Sequence, residues 1–170
     1  MELRALGRTG RKVGAIGVCP GNGPDGDAVA RRARERGCTL VGPDFALDGA
    51  GTVRYNLLDQ RDANREIARL AREGKGVVAT HVLAGGSLAG PAAHAPQGAR
   101  VLQLQCLVRP GRTLAQAAVQ FVLANESVSA AVVRCSSVAH LDEILAAPDA
   151  PPLSGQDLEQ IFELWANRFE

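Results

Sequence analysis

The chain predicts an α/β fold: a mostly parallel β-sheet covered by helices. Three observations carry that expectation. Short apolar segments at 12–19, 39–41, 52–57, 77–82 and 128–133 are bounded by Gly, Pro, Asp or Asn and are strand-length. Stretches between several of them repeat apolar residues every three or four positions, the period of a half-buried helix. Strands that alternate with helices pair in parallel, because each helix carries the chain back across the sheet.

Taken in order, residues 12–19 are the first core strand, and the Arg-Thr-Gly-Arg before them suggests a small hairpin. Residues 20–26, Pro-Gly-Asn-Gly-Pro-Asp-Gly, form a loop by composition. Asp27 is placed to cap a helix over 28–36, which Gly37 ends. Residues 39–41 are a brief strand, followed by a loop over 42–51 and a strand over 52–57. Asp62 is placed to cap a helix whose apolar face is Ile67, Leu70 and Ala71. Gly74 and Gly76 bracket the turn into the strand 77–82, and residues 84–98 read as irregular loop. Thr113 with Gln116, and Ser154 with Asp157, are capping boxes. The first opens a helix presenting Leu114, Ala117, Ala118, Phe121 and Val122. The strand 128–133 and a helix over 138–146 come next. The second box opens a helix with Leu158, Ile161, Phe162 and Trp165 on one stripe.

The 170 residues suit one core, so a single domain over 1–170 is expected. A formal net charge of +1 gives no field to gather nucleic acid or an acidic membrane surface. No apolar run reaches the roughly 18 residues that span a bilayer, and the N-terminus lacks the pattern of a signal peptide. The expected location is the cytoplasm. Cys19, Cys38, Cys106 and Cys135 stand far apart, without a Cys-x-x-Cys pair.

Three segments resemble the aldo-keto reductase family. They are the opening Met1-Glu-Leu-Arg-Ala-Leu-Gly-Arg-Thr-Gly-Arg-Lys-Val-Gly-Ala-Ile-Gly-Val18, Tyr55-Asn-Leu-Leu-Asp-Gln-Arg61, and Gly76-Val-Val-Ala-Thr-His-Val-Leu-Ala-Gly-Gly-Ser-Leu-Ala-Gly90. In that family the first lies far from the other two. Here only residues 19–54 lie between, and a short, poorly matching loop over 42–51 stands where the middle of the barrel would be. The resemblance implies a truncated TIM-barrel-like fold with about five core strands, the first two and the last three of a barrel that usually needs about 250 residues. Those five are neighbours in a closed barrel, so they would leave one curved sheet with new edges at 39–41 and 52–57. Open edges are paired or covered. A homodimer is the expected partner arrangement, with edges paired within the chain or covered by a loop as the other solutions.

The family reduces carbonyls with a tyrosine helped by aspartate, lysine and histidine. Alignment of Thr39-Leu-Val-Gly-Pro-Asp-Phe-Ala-Leu-Asp48 puts Gly42 at the aspartate position and Leu47 at the tyrosine position. The other two positions fall in the missing part. Leucine donates no proton to a ketone oxygen. The residues expected to grip NADPH are replaced as well: Thr80 stands near the nicotinamide-stacking position, Thr52 replaces a carboxamide-binding glutamine, and Ile144 replaces an asparagine. Arg134, Ser136 and Ser137 are kept as phosphate-holding candidates beside a helix start, with Glu143 at an adenine-contact position. The expectation is no required cofactor, with NADPH as the alternative.

His81 and Asp44 are the candidate catalytic pair. His81 ends an apolar strand, where ligands of parallel sheets collect, and imidazole ordinarily titrates near neutrality. Asp44 follows the second strand on the same rim and could hold the histidine's tautomer. Cys19 and Cys135 end the first and last strands and should be close. Tyr55 is assigned to packing. His94 and His140 lie apart from His81 in sequence, and no metal site is expected. The leading function is cofactor-independent acid–base chemistry on a small molecule: dehydration, isomerisation or cyclisation. The alternatives are a noncatalytic binding or partner subunit, and an NADPH-dependent reductase completed by another chain.

Overall fold

A computed structural model describes residues 2–43, 45, 47–90, 97–167 and 169. The strands are β1 (Leu3–Ala5), β2 (Lys12–Gly14), β3 (Ile16–Pro20), β4 (Ala50–Arg54), β5 (Gly76–Thr80) and β6 (Ala130–Cys135). The helices are α1 (Gly26–Glu35), α2 (Arg61–Arg72), α3 (Gly98–Gln103), α4 (Leu114–Ala124), α5 (Val138–Leu145) and α6 (Gly155–Ala166). The core sheet runs β3-β6-β5-β4, and all its pairings are parallel. The first strand therefore lies against the last, as in a closed barrel. No helix among the described residues is long and apolar enough to cross a membrane.

β1 and β2 form an antiparallel hairpin that closes the end of the sheet where β5 begins. Gly7 lies so close to the 74–76 turn that a Cβ would come within 2.4 Å of the Gly74 carbonyl, and its φ of +55° suits glycine. The Arg8 amide donates to that carbonyl at 2.7 Å.

The expected fifth strand at 39–41 is present only as a bridge between Val18 and Val41. The Val18 amide donates to the Leu40 carbonyl and the Gly42 amide to the Val18 carbonyl. Pro43 follows at once, and its missing N–H and fixed φ stop a ladder from extending. Other boundaries move by one to three residues, and the strand expected over 12–19 is divided between β2 and β3. Helix α1 is capped from Asp25 rather than Asp27, and α2 from Gln60 rather than Asp62, neither with a side-chain hydrogen bond. The two aspartates stand instead in the first turns, where a negative charge meets the positive end of the helix dipole. Both expected capping boxes form. Helix α3 begins inside what composition marked as loop.

Alternation along the strands gives the sheet two faces. The outer face, with Ile16, Val18, Val77, Ala79, Ala131, Val133 and Cys135, is covered by helices and forms the large core. The inner face carries Cys19, Val78, Ala130 and Val132 in a smaller cluster. Leu40, Phe45 and Leu47 pack onto it, so part of the loop after Val41 occupies the space beneath the shortened barrel.

Arg112 pins the outer layer. It is 2% exposed, donates twice to the Leu107 carbonyl and once each to the Pro151 and Pro152 carbonyls, and pairs with Asp157 at 2.9 Å. Asp157 also meets Arg109 and closes the box at the start of α6. Burial alone would raise the Asp157 carboxyl. The Ser154 amide and the two guanidiniums outweigh it and hold the group below the ordinary carboxylate value.

Candidate functional site

A cavity of about 810 Å³ lies over the C-terminal ends of the core strands. Its floor is the inner face, through Cys19, Val132 and Arg134. One side is the segment after β5, from Thr80 to Gly90. The opposite side is Ser136 with the first turns of α5, through Ala139, His140 and Glu143. Pro43 and Phe45 close part of the remaining wall.

His81 sits on this wall and is exposed. Its φ of +56° is uncommon for a residue with a side chain. A buried amide holds it there. The Asn56 side chain, 2% exposed, donates to the His81 carbonyl at 3.1 Å, and the Ala84 amide donates to the same oxygen at 2.8 Å. The Asn56 side-chain oxygen accepts from the Leu58 amide, so Asn56 is itself fixed. The chain thus turns sharply after Thr80. The His81 Nδ1 stands 3.4 Å from the Thr80 hydroxyl, a weak contact at most.

The other expected residues divide. Arg134, Ser136 and Glu143 line the cavity. Ser137 does not line it; its hydroxyl caps α5 by accepting from the His140 amide. Glu143 accepts from the Thr113 hydroxyl at 2.8 Å and also borders a second cavity of about 510 Å³. Asp44 and His94 lie outside the described residues. Cys19 and Cys135 are close in the sheet, as expected. They are one register step apart, since Cys19 pairs with Arg134, and they point to opposite faces. Burial pushes the Cys135 thiol up to about 12 and Cys38 to about 11, which leaves both inert. Tyr55 packs on Phe121 with ring centroids 5.3 Å apart, and burial raises its hydroxyl, which fits the packing role. No group of three His, Cys, Asp or Glu poised to hold a metal occurs among the described residues.

Sequence reading missed His140. It lies on the same cavity wall as Glu143, three residues before it on one helix face. Placing Glu143 at the site already implied a place for His140 beside it.

Residues 50–166 match the model of the Aldo/keto reductase family. The chain belongs to this family. No curated protein matches the chain. Among solved structures, the holo form of aldo-keto reductase AKR11C1 from Bacillus halodurans is similar, with a TM-score of 0.57 and 20% identity over 81% of this chain and 52% of that one. Its apo form gives 0.54 and 21% over 88% and 62%. This aldo/keto reductase relative thus spans 52% to 62% of the length of the structures it matches, and at such identity they show the fold alone.

The residues present fit one end of the NADPH that such a fold suggests. Arg134 and Ser136 suit a phosphate. The nicotinamide end does not fit: Thr80, near the stacking position, lines the cavity but carries no aromatic ring, and Thr52 is exposed on β4 and does not line the cavity.

Proposed function

We propose that this protein is an enzyme that works without a cofactor, using His81 as acid and base on a small organic molecule bound over the strand ends. One observation carries the reading most: His81 is pinned by Asn56 in a left-handed backbone conformation with its imidazole on the cavity wall. Such strain persists where surrounding structure enforces it, and it gathers at functional sites. His81 takes a proton from a carbon or hydroxyl of the substrate and returns it to a neighbouring atom or to a leaving hydroxyl. The net change is an isomerisation, a dehydration or a ring closure, and no electrons leave the substrate. Asp44 is the proposed helping carboxylate. The apolar floor of Cys19 and Val132, with Phe45 beside it, offers a surface for the substrate's carbon skeleton.

The test is product formation from a pool of small metabolites, followed by mass spectrometry without added nucleotide. His81→Ala should then slow turnover by about 10²–10⁴-fold. Full turnover in that variant overturns the assignment. Low-micromolar NADPH binding with hydride transfer to a carbonyl would restore the reductase reading, completed by a partner chain. The noncatalytic reading draws on α6, where Phe162 is 72% and Leu158 40% exposed, four residues apart on one stripe. A homodimer remains the proposed assembly, because among the described residues β4 pairs with β5 alone and leaves an edge. Light scattering that gives a monomer mass at tens of micromolar would remove it.

A further inference from the structure

Trp165, the chain's single tryptophan, stands in the last turn of α6 and does not line the cavity. Its indole N–H is spent far from its own helix. It donates to the Leu57 carbonyl at 2.8 Å, across 108 positions of sequence. Leu57 lies inside the turn 56–59 that follows β4, and two backbone hydrogen bonds between Asn56 and Asp59 close that turn. The closing bonds leave the central peptide, between Leu57 and Leu58, to be fixed by other groups. The orientation of that peptide is what distinguishes one turn type from another. Trp165 holds its carbonyl side, with the Gln60 side chain beside it at 3.2 Å. Its amide side, the Leu58 N–H, donates to the Asn56 Oδ1 at 2.9 Å. The Asn56 Nδ2 then donates to the His81 carbonyl at 3.1 Å. A peptide is planar, so fixing one side aims the other. Three hydrogen bonds thus run head to tail from the indole to the backbone of His81, and each polarises the next.

The far end of this relay is braced. The Phe169 ring meets Trp165 edge to face, with centroids 6.1 Å apart. The Phe169 carbonyl accepts from the Gln103 side chain at 2.9 Å, and the Arg100 guanidinium lies 5.5 Å from the centre of its ring. At its other end α6 is tied down by the pairs of Asp157 with Arg109 and Arg112. We infer that Trp165 is a positioning residue for the site: through the Leu57–Leu58 peptide and the Asn56 amide it holds His81 in its left-handed conformation and aims the imidazole at the cavity. The inference rests on the reading of His81 as the acid and base. It gives α6, which touches no substrate, a share in the geometry of the reaction.

The experiment follows the histidine ring signals of the whole chain by NMR. Trp165→Phe keeps an aromatic ring against Phe169 and removes the N–H, while Gln60 still partners the Leu57 carbonyl. The His81 ring signals should move by more than a linewidth. Those of His140, on α5, should stay in place. In an Asn56→Ala background the same substitution should move His81 no further, because the relay is already cut. On the reaction found for the protein, Trp165→Phe should lower kcat by up to about 100-fold with KM held, as a small misplacement of a catalytic group does. Asn56 is buried, so where Asn56→Ala folds poorly the Trp165→Phe spectrum decides, with His140 as its internal control. Unmoved His81 signals, equal movement of His81 and His140, additive shifts in the double variant, or an unchanged kcat would overturn the inference. The two proposals fail separately, because the spectra need no substrate. An active His81→Ala with the shifts intact defeats the catalytic reading alone. An inactive His81→Ala with no shift in Trp165→Phe defeats this one alone.

Discussion

The two faces of the sheet are made from neighbouring residues of the same strands, yet they are finished differently. On the outer face Val133 and Cys135 meet helices and are 1% and 0% exposed. On the inner face Val132 and Arg134 alternate with them, and there the packing stops partway and a cavity opens. The outer face is closed by helices at regular intervals. The inner face of a full barrel is closed by its own remaining strands; here Leu40, Phe45 and Leu47 close part of it. The lesson is that shortening a barrel leaves its helical jacket intact and shifts all the adjustment to the interior, where ligands bind.

The comparison can be tested by substitution. The largest effect is expected in the outer layer at Arg112. Arg112→Ala leaves buried carbonyls and Asp157 short of partners and should cost about 3–5 kcal/mol in urea unfolding. The same pair gives a pH test. Asp157 is held below its ordinary value of 3.8, so its contribution is present at neutral pH and is lost as pH falls below that value. Asp157→Asn should be less stable at pH 7, and its stability should fall less steeply on acidification. An unchanged acid limb would show that other carboxylates set it.

Next, Leu141→Ala, fully buried on α5, should cost about 3 kcal/mol because the jacket cannot collapse around the void. Val132→Ala should cost only about 1 kcal/mol, since its side chain already borders open space. Equal costs would mean that the two faces are equally well packed. Phe45→Ala should lie between them, at about 2 kcal/mol for the apolar area exposed. It should also weaken ligand binding. A neutral result would show that the loop does not roof the inner face.

The smallest effect is chemical. Iodoacetamide at pH 8 should label Cys106, the half-buried one, well before Cys38 and Cys135 in the folded protein. The latter two are buried in the jacket with thiols pushed up to about 11 and about 12. Mass mapping that finds Cys135 labelled first would contradict the closed outer face.

The jacket was legible in the sequence because helical spacing and capping boxes are local signals. Thr113–Gln116 and Ser154–Asp157 form as the residues imply. The order of the core strands followed from resemblance to a barrel. What local patterns could not show was the finish of the inner face. Val41 forms one bridge in place of a strand because Pro43 and the turn beyond intervene, and Phe45 reads as an isolated aromatic in a loop. Of the site, the position of His81 was legible as a strand end. Its restraint by Asn56, twenty-five residues away, was not.

The pairing of β3 with β6 has a consequence for how the chain is made. Ile16 finds its sheet neighbour, Ala131, only after nearly all of the sheet has been synthesised. Until then β4 and β5 can pair with each other, while among the described residues β3 has its hairpin, α1 and the bridge at Val41 to hold it. Sheets that wait for a distant strand fold slowly and expose apolar edges meanwhile. On the ribosome the final strand acts as a keystone. A chain stalled before residue 130 carries a bare apolar strand, and such a nascent chain is the form of this protein most dependent on chaperones.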